Sequence, residues 1–160
     1  MNDSNMIQLL MIFISQKNVT KLLLRQINYI IIHCSATKAG RDFHAKDIDK
    51  WHRERGFDEI GYNVVVDLDG TVELGRSEAK PGAHCKGHNS DSIGICYIGG
   101  LDKDGKPADT RTELQKAALT GLVADYKQRF PNAKVLGHRD MPNVHKACPC
   151  FNAKEEYKNI

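Results

Sequence analysis

Apolar residues fall along this chain in short blocks separated by Gly-, Asn- and Asp-rich stretches, and the spacing inside each block names an element. The segment INYIIIH, residues 27–33, is β-branched, apolar on both faces and too short for a helix, as expected of a strand buried inside a sheet. In AKDIDKWHRER, Ile48, Trp51 and Arg55 recur at helical spacing ahead of Gly56, which predicts a first core helix stopped by glycine. GYNVVVDLDGTVELGR holds two β-rich runs around Asp69-Gly70, a hairpin signal. The polar stretch KPGAHCKGHNSDS has too little apolar content for a core element and reads as a surface loop leading into a second buried strand, IGICYIGG. Thr110 and Glu113 have the spacing of a capping box for the longest helix, with Leu114, Ala118, Leu122 and Tyr126 on one face and Pro131 at its end. AKVLGH reads as a strand, RDMPNVHKACPCF as a loop, and the charged tail as a short helix. Together these predict an α/β (α+β) fold: a single domain with a central mixed β-sheet flanked by helices.

Composition narrows the reading without redirecting it. A chain of 160 residues suits one domain, and 41% hydrophobic with 27% charged residues is ordinary for a folded protein. The net charge of +3 is mildly basic, but the basic residues are scattered among acids rather than gathered in a stripe with aromatics, which argues against nucleic acid as a partner. Five cysteines, an odd number at irregular spacing, cannot all pair within the chain, so a mostly reduced protein folded in a cytosol is the simpler expectation. The apolar run Met6 to Ser15 has the length of a signal-peptide core but is too short to span a bilayer. It lacks basic residues ahead of it and a small-residue cleavage site behind it. Residues 1–26 therefore read as an N-terminal extension and residues 27–160 as the domain, with no stable membrane insertion expected.

Two histidines close predicted strands, His33 in INYIIIH and His138 in AKVLGH, where side chains project from a rigid scaffold into loops. Each alone is more often a structural histidine. With Cys148 downstream they make two imidazoles and a thiolate, a suitable three-ligand set for zinc with one tetrahedral position left open. Their separation in sequence means that no compact spacing rule certifies them. By period-two alternation Cys34 faces away from His33 into the core. Trp51 reads as packing rather than as a sugar platform, and Asp140 either orients a ligating histidine or caps a local turn. His44, His52, His88 and His145 show no pattern.

The segments IIIHCSAT, DIDKWHRERGFDEIGYNVVVDLDGTVELGR, GAHCKGHNSDSIGICYIGG, LGHRD and KACPCF, in that order, resemble the phage lysozyme-type zinc amidases and, more distantly, the animal peptidoglycan recognition proteins. The resemblance runs from Ile27 to Phe151 and says nothing of residues 1–26. It implies an N-acetylmuramoyl-L-alanine amidase that cleaves the amide between N-acetylmuramic acid and the L-alanine of the stem peptide with zinc-activated water. It also implies one zinc ion per chain held by His33, His138 and Cys148, catalytic roles for Tyr62 and Lys146, and a place for His84 at the substrate groove. Arg76 and Asn89 are candidates for that groove, with solvated loop positions as an equal alternative. One departure is Cys150, a second thiol where relatives commonly carry a small polar residue; a free thiol outside the metal site is the expectation.

The implied partner is peptidoglycan or a muropeptide, met by a monomer made in the cytoplasm and acting at the cell wall after release or export. A wall-binding module without catalysis is disfavoured because Cys148, Tyr62 and Lys146 are all present. A cytosolic amidase recycling small muropeptides stays open. A glycosidase would need two facing carboxylates, and none of the matched segments supplies such a pair.

Overall fold

The computed structural model describes residues 25–160, so the apolar run at residues 6–15 and nearly all of the expected N-terminal extension lie outside the described residues. In chain order the elements are β1 (Tyr29–Cys34), β2 (Thr37–Lys38), α1 (Ala45–Glu54), β3 (Val64–Val66), β4 (Val72–Leu74), β5 (Ser92–Tyr97), β6 (Gly100–Leu101), α2 (Glu113–Arg129), β7 (Lys134–Gly137), a single 3₁₀ turn at His138–Asp140, and the short α3 (Ala153–Glu156).

The β-branched run at 27–33 forms β1, which pairs in parallel with β5 on one side and β7 on the other. Its Ile30, Ile31 and Ile32 are fully buried, as an interior strand of a sheet covered on both faces requires. β3 adds in parallel to β5, and β4 folds back antiparallel onto β3 through a turn around Gly70, whose φ of +83° is the conformation glycine tolerates. The sheet is therefore mixed, in the order β4-β3-β5-β1-β7, as the alternation of strands and helices predicted. A small parallel pair, β2 with β6, had no signal in the sequence.

Alternation along β1 divides its side chains between the two faces. Ile30, Ile32 and Cys34 join Val64, Ile95 and Tyr97 in a core covered by Leu119, Val123 and Tyr126 of α2. The opposite face belongs to α1: Ala45 and Ile48 pack on Val65 and Cys96. His33 is in register with Cys96, and Cys96 with Val65, so His33 emerges on the face that α1 covers.

Helix α2 differs from its predicted phase. The N-cap is Thr112, whose hydroxyl accepts from the Gln115 backbone N–H while the Gln115 side chain accepts from Thr112 N–H. The expected cap, Thr110, instead accepts from Gly100 N–H. The deeply buried stripe is Gln115, Leu119, Val123 and Tyr126; Ala118 and Leu122 flank it, and Leu114 is exposed. The shift follows from Gln115, which enters the core because its amide donates to the carbonyls of Val66 and Ile98. A purely apolar count misses a buried amide satisfied in this way. At the other end of the described chain, Arg25 hydrogen-bonds the carbonyls of Glu78, Lys80, Asn89, Ser90 and Ser92, so the packed unit reaches back at least to this residue.

Candidate metal centre and active-site cleft

Three elements that are distant in sequence meet at the C-terminal ends of the parallel strands. β1 brings His33, the 3₁₀ turn after β7 brings His138, and the loop before α3 brings Cys148. Their ligand atoms all lie within 4.8 Å of one another. His33 Nδ1 is 3.8 Å from Cys148 Sγ, and the rings of His33 and His138 have centroids 4.5 Å apart. A tetrahedral zinc ion with Zn–N near 2.0–2.1 Å and Zn–S near 2.3 Å sets an N···S edge of about 3.6 Å, so the donors fit such an ion in both type and spacing. His138 begins the turn rather than ending the strand, and Asp140 accepts from Gly137 N–H at 2.9 Å, which makes it the local turn cap. Cys148 Sγ also accepts from Cys34 N–H at 3.3 Å.

The histidines are held as neutral donors. Burial first, then the neighbouring imidazoles of His84 and His138, keeps His33 well below the usual histidine range. Burial and then Lys146 lower His138. His84 falls to about 3, again chiefly through burial. His33 Nε2 is 3.0 Å from His84 Nδ1, and His84 Nε2 is 3.3 Å from Ser92 Oγ, which in turn donates to the His88 carbonyl. With His33 Nδ1 facing Cys148, this chain places the His33 proton on Nε2 and the His84 proton on Nε2 as well. His84 thus fixes the tautomer that leaves His33 Nδ1 free. The stretch expected to be a surface loop therefore reaches the centre: Cys85 is buried, and Asn89 Oδ1 accepts from both His84 and Cys85 N–H at 2.9 Å.

His33, His84, His138 and Cys148 line a cleft of 320 Å³, together with Trp51, His52, Arg55 and Phe57 from α1 and the segment after it. Tyr62 stands over His33 at a centroid distance of 5.0 Å, and burial raises its phenol well above the ordinary tyrosine range, so its hydroxyl stays a donor. Lys146 reaches the same cleft from an exposed position. Cys150 lies apart from the ligand group, its Sγ 3.8 Å from Cys34 Sγ, and all five cysteines are free.

Two expected groove residues sit elsewhere. Asn89 orders the His84 loop, as above. Arg76 is buried and donates to the carbonyls of Ile60, Pro81 and Glu59 and to the Asp58 carboxylate, so its guanidinium knits the loops behind Tyr62. Arg76→Lys is expected to lower stability by about 2–3 kcal/mol in urea unfolding, because one ammonium cannot satisfy that many acceptors. A raised KM with unchanged stability would instead put Arg76 at the substrate.

The sequence reading missed His52. Its Nδ1 accepts from Gly61 N–H at 2.8 Å, and burial, followed by the nearby Arg55 and Arg76, lowers its pKa to about 4. Its ring lies 5.3 Å from that of Tyr62, which follows Gly61 in the chain. The available signal was its place four residues after Ile48, on the buried face of α1.

Known proteins resemble this chain in sequence and in fold. The family described as N-acetylmuramoyl-L-alanine amidase matches residues 23–151. The endolysin of Klebsiella phage KP32 is 40% identical over 130 residues, covering 81% of this chain and 85% of that protein. Among solved structures, the N-acetylmuramoyl-L-alanine amidase LysC from Clostridium intestinale superposes with a TM-score of 0.69 at 27% identity, covering 84% of each chain. A point mutant of Drosophila PGRP-LB in complex with tracheal cytotoxin gives a TM-score of 0.69 at 26% identity, covering 84% of this chain and 82% of that one.

Proposed function

We propose, from the premise that this chain belongs to the N-acetylmuramoyl-L-alanine amidase family, that His33, His138 and Cys148 hold one zinc ion and that Tyr62 and Lys146 act on the substrate beside it. The protein is an amidase of peptidoglycan, hydrolysing the bond between N-acetylmuramic acid and L-alanine. The observation that carries the zinc reading is the convergence of two neutral imidazoles and a thiol within 4.8 Å at the floor of an open cleft.

When bound there, the ion supplies Lewis acidity, which polarises a carbonyl and draws the pKa of water from 15.7 towards about 7. In the overall reaction the water oxygen bonds to the amide carbon, the C–N bond breaks, and the departing nitrogen takes a proton to leave as the L-alanine amine. Lys146 presents an ammonium to the oxygen on which negative charge develops. Tyr62, held protonated, offers that oxygen a second hydrogen bond. Donors already in place when charge appears need no reorganisation, the source of their effect on the barrier. His84 holds His33 in the ligating tautomer. The substrate is peptidoglycan or a soluble muropeptide, a reading supported by the tracheal cytotoxin complex of the structural relative. A monomeric enzyme is expected; among the described residues no helix is long and apolar enough to cross a membrane.

Cobalt substitution tests the ligand set without reference to turnover. The protein loaded with Co²⁺ should show an intense thiolate-to-metal charge-transfer band, absent from Cys148→Ser and retained in Cys150→Ser. A band that survives loss of Cys148 would sink the assignment. His84→Ala is expected to weaken zinc binding about 10–100-fold, the usual consequence of removing a partner of a ligating histidine. Competition with a chromogenic chelator measures it, and wild-type affinity in that variant would return His84 to the substrate groove.

A further inference from the structure

Outside the cleft, a second cluster of ligand-type side chains among the described residues is assembled from separate elements. His44, immediately before α1, points Nδ1 at Asp67 Oδ2 (2.7 Å), which follows β3, and at Glu73 Oε1 (3.0 Å) in β4. All three ligand atoms lie within 4.8 Å of one another. Asp42 adds a further carboxylate, 3.7 Å from His44 Nε2. No lysine or arginine among the described residues pairs with Asp67 or Glu73. The cluster therefore sets three carboxylates against one imidazole.

The Asp67 side chain is 4% exposed, and its Oδ1 is buried without a hydrogen-bond partner. A buried carboxylate oxygen with no donor is costly and uncommon in a native protein, and it marks a position where a cation is wanted. We propose that His44, Asp67 and Glu73 form a second cation site, one that takes a first-row divalent ion through one nitrogen and two carboxylates. The three ligand atoms lie within 4.8 Å of one another, close enough for a single ion to be shared by all three. His44 is partly open to solvent, which leaves room for waters to complete the coordination. The ion takes the place of the proton now shared between His44 Nδ1 and the two carboxylates.

The site differs in character from the cleft. It has no sulfur ligand, so it favours harder ions such as Mn²⁺, whereas the His-His-Cys group favours Zn²⁺. Its placement gives it a structural task. Glu73 Oε2 also accepts from Ala45 N–H, so an ion here ties the first turn of α1 to the β3–β4 hairpin. The same helix carries Trp51 and His52 along the cleft wall.

The test uses the full chain carrying one equivalent of zinc, titrated with MnCl₂ while free Mn²⁺ is counted by electron paramagnetic resonance. One Mn²⁺ should bind per chain and raise the thermal midpoint. Binding should be weaker by at least about tenfold in His44→Ala and in Glu73→Gln, the lower end of what losing even an outer-shell partner costs a metal site. Glu73→Gln preserves shape and is checked for folding by circular dichroism. Cys148→Ser, which empties the cleft, should keep its Mn²⁺. The proposal is overturned if the wild type binds no Mn²⁺, if both variants bind as well as wild type, or if Cys148→Ser abolishes Mn²⁺ binding, which would place that ion in the cleft instead.

Discussion

Serine in place of Cys148 is expected to abolish zinc binding and to lower amidase turnover by at least about a thousandfold. A serine hydroxyl stays neutral near pH 7 and cannot replace a thiolate that two imidazoles complement. Cys148 has the right neighbours for that role, with His33 Nδ1 at 3.8 Å and a backbone N–H from Cys34 at 3.3 Å. Cys150→Ser is the matched control. Its thiol lies against Cys34, and burial with the adjacent Cys34 pushes its pKa up to about 12, so it remains a thiol near neutrality. Metal content and kcat should be untouched in that variant. The reverse pattern, zinc lost with Cys150 and kept without Cys148, contradicts the ligand assignment.

The second large effect belongs to Lys146→Ala, which should retain a full equivalent of zinc while kcat falls about 100- to 1000-fold and KM changes little. Lys146 lines the cleft from an exposed loop, and its charge is felt at both His33 and His138. A group that meets the substrate only as charge develops on the amide oxygen acts on the barrier rather than on ground-state binding. Lys146→Arg should recover part of the rate by keeping the charge. Wild-type kcat in the alanine variant would remove Lys146 from the mechanism, and loss of zinc would turn it into a structural residue.

The sheet was legible in the sequence, and so were the three side chains that meet in the cleft, for physical reasons specific to each. The run IIIH can be buried on both faces only as an interior strand, and alternation alone sends His33 and Cys34 to opposite sides. The hairpin at Asp69-Gly70 follows from local turn chemistry. What could not be read were features that depend on partners far along the chain. Gln115 is core because two carbonyls from different strands satisfy it. The resemblance placed His84 at the substrate groove, but its contacts with His33 on one side and Ser92 on the other depend on partners that the sequence does not name. Arg76 and Asn89 were groove candidates by type, and the structure shows Arg76 bonded to backbone carbonyls and the Asp58 carboxylate and Asn89 Oδ1 bonded to backbone N–H groups. His44 and His52 had no pattern, because their partners lie on β3 and β4 in one case and at Gly61 in the other.

The central claim is that a metal held by His33, His138 and Cys148 drives hydrolysis of the muramoyl amide. Its most direct test is digestion of purified peptidoglycan by chelator-stripped protein, before and after addition of one equivalent of zinc, with products read by mass spectrometry. Stripped protein should release no L-alanine-terminated peptides, and zinc should restore their release. Undiminished release from metal-free protein, or new reducing sugar ends in place of new L-alanine amino termini, would contradict the account.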